Sequence, residues 1–458
     1  MCRSLESVFR RRQKCRVASL ERLQCKRIIS IAHQNSSCVV ESFSDCYLRG
    51  FEYIASVRDI EAESFSATSS RSLEHEKVQR PLEGPNPSKQ TPIFHHDKRA
   101  PTAMASVIDK AKSALGMDDR QTVKLAGRSI HPIGYGLMGL TWRKNPPSRE
   151  QSFAAMKAAL ANGSNFWNGG EIYGNASRNS LHLLQEYFEK YPEDREKVVI
   201  SIKGGCLPDQ LKPDGKPENV KRSIQECIDI LGKSGKKLDI WESARVDPET
   251  PIEVTMRTAK EFVDAGKLGG ISLSECSAET IRRAAKVAKI EAVEVEFSLW
   301  ETTILENGIA ATCAELGIPI VAYSPLGRGF LTGSVRKFED IPEDDLRRDY
   351  PRFQPENFEK NLKLLEEVEK MAKAKGCTPG QVGISWILAK SGKDGLPVMI
   401  PIPGSTTEER VRENLVTVEL SANDVKEIDS LLEQTEVAGE RYPERATGLL
   451  FGNTPKET

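Results

Sequence analysis

The chain has 458 residues, 65 of them basic and 66 acidic, with a net charge of −1. That balance argues against a nucleic-acid or anionic-membrane partner, and no run is long and apolar enough to span a bilayer. The ten cysteines are scattered, with no CxxC pair and no Cys/His cluster at metal spacing. They read as reduced thiols of a cytoplasmic protein with no metal centre.

Residues 1–120 differ from the rest. The start is basic, through Arg10, Arg11, Arg12, Lys14 and Arg16; Ser64 to Ser72 is serine-rich, and Arg80 to Pro101 is rich in Pro, Gly, Gln and His. No apolar period lasts long enough to bury a face, so an amino-terminal extension that is mostly disordered is expected. A start at Met104 or an organelle transit peptide are the other readings. Targeting is disfavoured by Glu6, Glu21 and five early cysteines.

From Val123 the pattern becomes regular. Val123 to Ile130 reads as a hairpin turning at Ala126-Gly127. Strands are expected at Ile133–Met138, Asn165–Asn168, Val198–Lys203, Leu238–Val246, Gly269–Ser274, Ala292–Leu299, Pro319–Ser324 and Val398–Pro401. Helices are expected near 148–162, 177–190, 217–231, 251–266, 278–289, 305–316, 380–390 and 407–416, with Ser148 and Ser277 as amino-terminal caps. Residues 330–356 form a long polar loop, either a lid or a solvated surface segment. A last helix follows Ser421, and 436–458 is a tail.

Eight strands, each followed by a helix, predict a (β/α)8 TIM barrel over 121–435 with a hairpin at its start. Gly134-Tyr135-Gly136-Leu137-Met138-Gly139 has GxGxxG spacing, but no immediate helix is expected after it, which argues against an open dinucleotide-binding sheet.

A barrel concentrates chemistry at the carboxyl ends of its strands. There the second strand delivers Asn168 and, past Gly169-Gly170, Glu171 and Tyr173; the third delivers Lys203; the fourth Glu242 and Ala244. Ser274-Glu275, Glu294 and Glu296, Tyr323 to Gly327, and Pro403 to Thr407 follow from the remaining strands. A lysine on an apolar strand wants a partner, and beside Tyr173 its charge is expected to lower the phenol pKa. Tyr323 offers a stacking face, and Gly404-Ser405-Thr406 leads into a helix amino terminus suited to phosphate.

Over roughly Val123 to Leu432 these residues resemble the aldo-keto reductases. The matching stretches are Gly134 to Gly139, Asn165 to Gly174, Ser201 to Gly204, Ala322 to Gly327, and Ile402 to Ser405 with Arg410 to Asn414. The resemblance implies NADPH-dependent reduction of a small-molecule aldehyde or ketone. Tyr173 would be the proton donor and Lys203 its activator, beside Asn168, with Trp142 on the substrate side. The cofactor would be held by Gly136, Leu137 and Met138, by Ser274, Glu275 and Glu294 at the carboxamide, and by Tyr323 under the nicotinamide. Ser324, Pro325, Leu326, Arg328 and Gly329 would cover the pyrophosphate; Ser405, Thr406, Arg410, Glu413 and Asn414 would hold the adenosine end.

The chain departs from the family pattern where Asn168 replaces Asp, Ala244 replaces His, and Glu275 replaces Asn. No histidine follows His182. The stretches Phe166 to Gly174, Glu242 to Pro248 and Glu294 to Leu299 resemble the fungal pyridoxal reductase branch, which carries Asn and Ala at the first two sites. That implies reduction of pyridoxal to pyridoxine, with Glu242 as a candidate counter-ion to Lys203. A reductase of other carbonyls and a non-catalytic nicotinamide-binding subunit are the alternatives.

Overall fold

A computed structural model describes residues 123–208 and 210–457. The expected disorder of the amino-terminal extension lies outside the described residues. Strands β1 (Val123–Leu125) and β2 (Arg128–Ile130) form an antiparallel hairpin. Its turn uses Ala126 and Gly127 at φ 48° and 75°, the left-handed pair that matches strand twist in a two-residue loop.

Eight parallel strands follow: β3 (Tyr135–Gly136), β4 (Phe166–Gly170), β5 (Val199–Gly204), β6 (Ile240–Ser243), β7 (Gly270–Ser274), β8 (Ile290–Glu296), β9 (Ile320–Tyr323) and β10 (Met399–Pro401). They pair in sequence order, and the first meets the last. Gly134 N–H donates to the Pro401 carbonyl at 2.9 Å, and Gly136 bridges to Gly404. A Cβ at Gly136 would stand 2.9 Å from the Ile402 carbonyl oxygen, so this seam closes only around a glycine.

Around the sheet run α1 (Met138–Thr141), α2 (Arg149–Ala161), α3 (Ser180–Lys190), α4 (Pro217–Lys233), α5 (Ile252–Asp264), α6 (Ala278–Val287) and α7 (Ile309–Leu316). They are followed by α8 (Pro355–Lys375), α9 (Pro379–Lys390), α10 (Glu408–Leu415), α11 (Ala422–Gln434) and α12 (Glu444–Thr447). The expected caps are in place: Ser148 accepts from Gln151 N–H and Ser277 from Thr280 N–H. Among the described residues no helix is long and apolar enough to cross a membrane.

Two apolar layers hold the barrel. One packs the helices against the outside of the strands, with Trp167, Trp241 and Trp386 fully buried. The other fills the floor, where Leu125 and Ile130 of the hairpin meet Phe166, Val199, Ile240, Ala292, Val321 and Ile400 from the strand starts. Burial of such side chains contributes roughly 1.5–3 kcal/mol each. The floor is sealed by apolar contact, which leaves the opposite end for chemistry.

The observed elements depart from expectation in three places. The first barrel strand is Tyr135–Gly136 alone, because Leu137 turns into the right-handed region at φ −91° and ψ −9°. A helix does open behind the glycines, but α1 is a single turn on a closed barrel. Helix α8, 21 residues long, was not anticipated at all. Residues 330–356 run largely over the surface, as expected of a polar loop, but are anchored at five buried positions. Short 3-10 turns pack Phe330 and Phe353 against Trp300, the Phe330 ring stacking at 3.9 Å from it.

Candidate active site

Strand β4 is buried throughout and ends at Gly170. A Cβ there would lie 3.1 Å from the Tyr173 ring and 3.3 Å from Lys203 Cβ, so the glycine lets the tyrosine fold back over the strand end. Tyr173 is fixed from two more sides. Thr141 Oγ1 donates to its carbonyl at 2.7 Å, and the Trp142 ring stacks on its ring at 5.3 Å and 23°. Glu171 points elsewhere: it accepts Gly205 N–H and Ser223 Oγ and braces the loop after β5.

Beneath Tyr173 lies a buried charge cluster. Lys203 Nζ is 5.6 Å from the Tyr173 ring centroid. It donates to Asn168 Oδ1 at 2.8 Å and stands 2.6 Å from Glu294 Oε1 and 3.3 Å from Glu242 Oε1. Asn168 completes the ring, its Nδ2 donating to Glu294 Oε2 at 2.6 Å and Glu242 Oε2 at 3.3 Å. Ser201 Oγ donates to Glu242 as well. All five side chains are buried. Strand alternation explains the convergence: residues from β4, β5, β6 and β8 at inward register positions meet on the barrel axis.

Electrostatics here differ from the sequence expectation. Burial raises the Tyr173 phenol to about 12, and Glu294 and Glu242 add to that; the ammonium of Lys203 pulls the other way without winning. The phenol is therefore held protonated at neutral pH. Burial also raises the Glu294 carboxyl, to about 8, with the neighbouring Glu242 pushing the same way. Lys203 stays charged because its two glutamates outweigh desolvation. Glu242 is a partner of Lys203 as anticipated, but Glu294, expected at the cofactor, approaches closer.

The remaining predicted residues fall into three groups. Leu137 N–H donates to the Asn168 carbonyl at 2.8 Å, tying Gly136, Leu137 and exposed Met138 to the tyrosine strand. At the far rim Ser405 and Thr406 precede α10, whose cap is Thr407. Arg410 pairs there with Glu413 at 2.8 Å, both beside buried Asn414. Tyr135 Oη donates to the Ser405 carbonyl, so this rim is anchored to β3.

The third group surrounds Tyr323 and includes a carboxy-terminal contribution that no local pattern announces. Tyr323 Oη donates to Glu275 Oε1 at 2.8 Å and lies 2.9 Å from Tyr442 Oη. Buried Arg441 bridges Glu275 at 2.7 Å and Glu296 at 3.2 Å. Arg328 donates to Glu296 at 3.0 Å with its guanidinium 4.5 Å from the Tyr350 ring and 4.6 Å from that of Tyr442. Ser324, Arg328 and Glu275 all have positive φ, at 49°, 55° and 48°, backbone strain of a kind that clusters at functional sites. Ser274 Oγ is 3.4 Å from Arg245 Nη1, a second arginine that sequence reading passed over.

The aldo/keto reductase family matches residues 132–433. The probable pyridoxal reductase 2 of Schizosaccharomyces pombe is 42% identical over 332 residues, which cover 71% of this chain and 98% of the relative. The aldo-keto reductase yakc [NADP(+)] of the same yeast is 38% identical over 342 residues, 73% of this chain and 98% of the relative. Among solved structures, the glycerol dehydrogenase of Gluconobacter oxydans shares the fold, with a TM-score of 0.61 at 22% identity over 70% of this chain and 98% of that one. A barrel with Tyr173 over Lys203 at its carboxyl end, matched along that length, makes this chain a member of the aldo/keto reductase family of oxidoreductases.

Proposed function

We propose that this chain reduces aldehydes with NADPH, pyridoxal to pyridoxine above all, and that Tyr173 donates the proton. The observation that carries the reading is the Tyr173 ring set over the buried Lys203 ammonium, 5.6 Å from its centroid. A general acid must keep its proton until the carbonyl oxygen gains charge, and a phenol raised to about 12 does so at neutral pH. As Tyr173 releases that proton, the nearby Lys203 charge stabilises the phenolate. Glu294, Glu242 and Asn168 hold Lys203 in place.

The donor set fits a dinucleotide. Tyr323 presents a ring fixed by its hydroxyl, Ser274 a hydroxyl 3.4 Å from Arg245 Nη1, and Arg410 an exposed guanidinium next to the start of α10. Arg410 can take a phosphate as a fork, which favours NADPH, although Glu408 and Glu409 in the same first turn oppose a second anion. The relative named for NADP(+) supports that choice. When bound, NADPH supplies the hydride. Trp142, stacked on Tyr173, forms the apolar wall on the substrate side. Pyridoxal as substrate is supported by the similarity to the yeast probable pyridoxal reductase. The unpaired described cysteines, Cys206, Cys227, Cys276, Cys313 and Cys377, suit a reducing cytoplasmic setting.

The test is NADPH oxidation by the purified full chain with pyridoxal and a panel of simple aldehydes. A much higher kcat/KM for pyridoxal than for the panel is expected. Tight NADPH binding with no carbonyl reduced would overturn the catalytic reading in favour of a regulatory subunit. A better panel aldehyde would overturn only the substrate.

A further inference from the structure

Ala244, at the end of β6, presents a buried methyl group to the barrel, and the next residue is Arg245. Arg245 is half-buried. Its Nη1 donates to the Ala244 carbonyl at 2.6 Å and lies 3.4 Å from Ser274 Oγ. Its Nε and Nη2 donate to nothing among the described residues, and neither is sealed away from solvent.

Other arginines at this end are paired. Arg441 holds Glu275 and Glu296, Arg328 holds Glu296, and Arg352 holds Glu301. Arg245 has no such carboxylate in contact among the described residues, although its charge acts on Tyr442, Tyr323, Glu275 and Tyr173. Glu275, the nearest acid in that group, is already engaged by Arg441 and Tyr323. The free Nε and Nη2 hydrogens form the side-on edge of a guanidinium. That edge spans two adjacent oxygens as it spans a carboxylate.

We propose that Arg245 is the specificity-determining donor of this site, and that its free edge receives carbonyl substrates bearing a hydroxyl or anionic oxygen next to the aldehyde, as in ortho-hydroxyaryl aldehydes. The ring hydroxyl and the aldehyde oxygen of such a compound lie side by side, like the two oxygens of a carboxylate. Arg245 binds that pair while Tyr173 protonates the aldehyde oxygen. The arginine thus also supplies the second donor that Ala244 cannot, since the developing oxyanion needs hydrogen bonds aimed at it. The proposal rests on the carbonyl-reductase reading but not on pyridoxal, which is one member of the class.

The experiment compares salicylaldehyde with 2-methoxybenzaldehyde at mildly alkaline pH, using the full chain, its R245M variant and its R245K variant. Two readouts are taken: the kcat/KM ratio of the two aldehydes, and the ratio of their affinities from quenching of tryptophan fluorescence, which needs no turnover. Wild type is expected to prefer salicylaldehyde in both. In R245M both preferences should fall about ten-fold or more, the scale of a hydrogen bond to a charged group. R245K should recover only part, because an ammonium lacks the fork. Because each readout is a ratio within one protein, partial unfolding of a variant cancels.

Wild type that does not distinguish the two aldehydes, or R245M that keeps the wild-type ratios, would overturn the proposal. If pyridoxal is a poor substrate yet the ratios collapse in R245M, the pyridoxal reading fails and the role of Arg245 stands.

Discussion

Glu294 Oε1 stands 2.6 Å from Lys203 Nζ, closer than any other carboxylate oxygen to that ammonium. The two residues lie on strands β8 and β5, which β6 and β7 separate, and Asn168 hydrogen-bonds both. The negative charge that the family pattern places at position 168 is delivered here from β8. Burial and the neighbouring Glu242 raise the Glu294 carboxyl to about 8, and the Lys203 ammonium held against both glutamates offsets the cost of burying them.

Restoring Asp at position 168 should therefore damage the protein. N168D removes the amide that donates to both Glu294 and Glu242 and adds a third carboxylate to the same pocket. Glu242 Oε2 keeps the Ser201 hydroxyl, but leaving Glu294 Oε2 without its donor costs about 1–3 kcal/mol. A lower denaturation midpoint is expected in urea titrations of N168D. A variant as stable as the parent would show that Asn168 is not required by the glutamates.

Glu294 also predicts a pH dependence. Its folded pKa is raised from the ordinary 4.5 to about 8, so folding favours the protonated form. The stability it contributes is full below about 4.5 and is lost as pH rises through about 8. The Tm of wild type should fall relative to that of E294Q between mildly acidic and mildly alkaline pH. Parallel Tm curves over that range would refute the assignment.

Tyr173 is tested through its hydroxyl. Y173F keeps the ring against Trp142 and the Gly170 backbone, so NADPH affinity and Tm should hold. Loss of general-acid catalysis should lower kcat by ~10²–10⁴. Single-turnover measurement of NADPH oxidation separates this from product release, and a Y173F protein with full turnover would remove the tyrosine from the mechanism.

Much of this architecture is legible in the sequence because strand alternation and helix caps are local. The β4 stretch ending in Gly169-Gly170 and the cap serines Ser148 and Ser277 needed only neighbouring residues to be read. Helix α8 was missed although its signal is present: Pro355 at the first turn, Leu364, Leu365, Val368 and Ala372 on a buried face, and Gly376 at the carboxyl cap. Its many charges hid the apolar stripe. The Lys203 cluster was half legible, since Glu242 and Glu294 stand at inward strand positions but which one approaches closer depends on barrel closure. Arg441 was beyond reach, because it meets Glu275 from 166 residues away.

That contact supports the last prediction. Arg441 bonds three buried acids, Glu275 at 2.7 Å, Glu296 at 3.2 Å and Glu301 at 3.6 Å, and thereby pins the carboxy-terminal segment next to Tyr323. Breaking a buried ion pair typically costs about 3–5 kcal/mol. In R441M two of the acids keep a partner, since Arg328 remains on Glu296 and Arg352 on Glu301. Glu275 keeps no arginine in contact: it retains the Tyr323 hydroxyl, the Glu296 backbone N–H at 3.2 Å and the more distant charge of Arg245. The loss therefore falls on Glu275, whose left-handed backbone at φ 48° already needs support from its surroundings. R441M should unfold at lower denaturant and be cut by protease within residues 436–450 sooner than the parent. Cleavage and midpoint unchanged in R441M would mean that the segment is held by Tyr442 and Phe451 without the arginine.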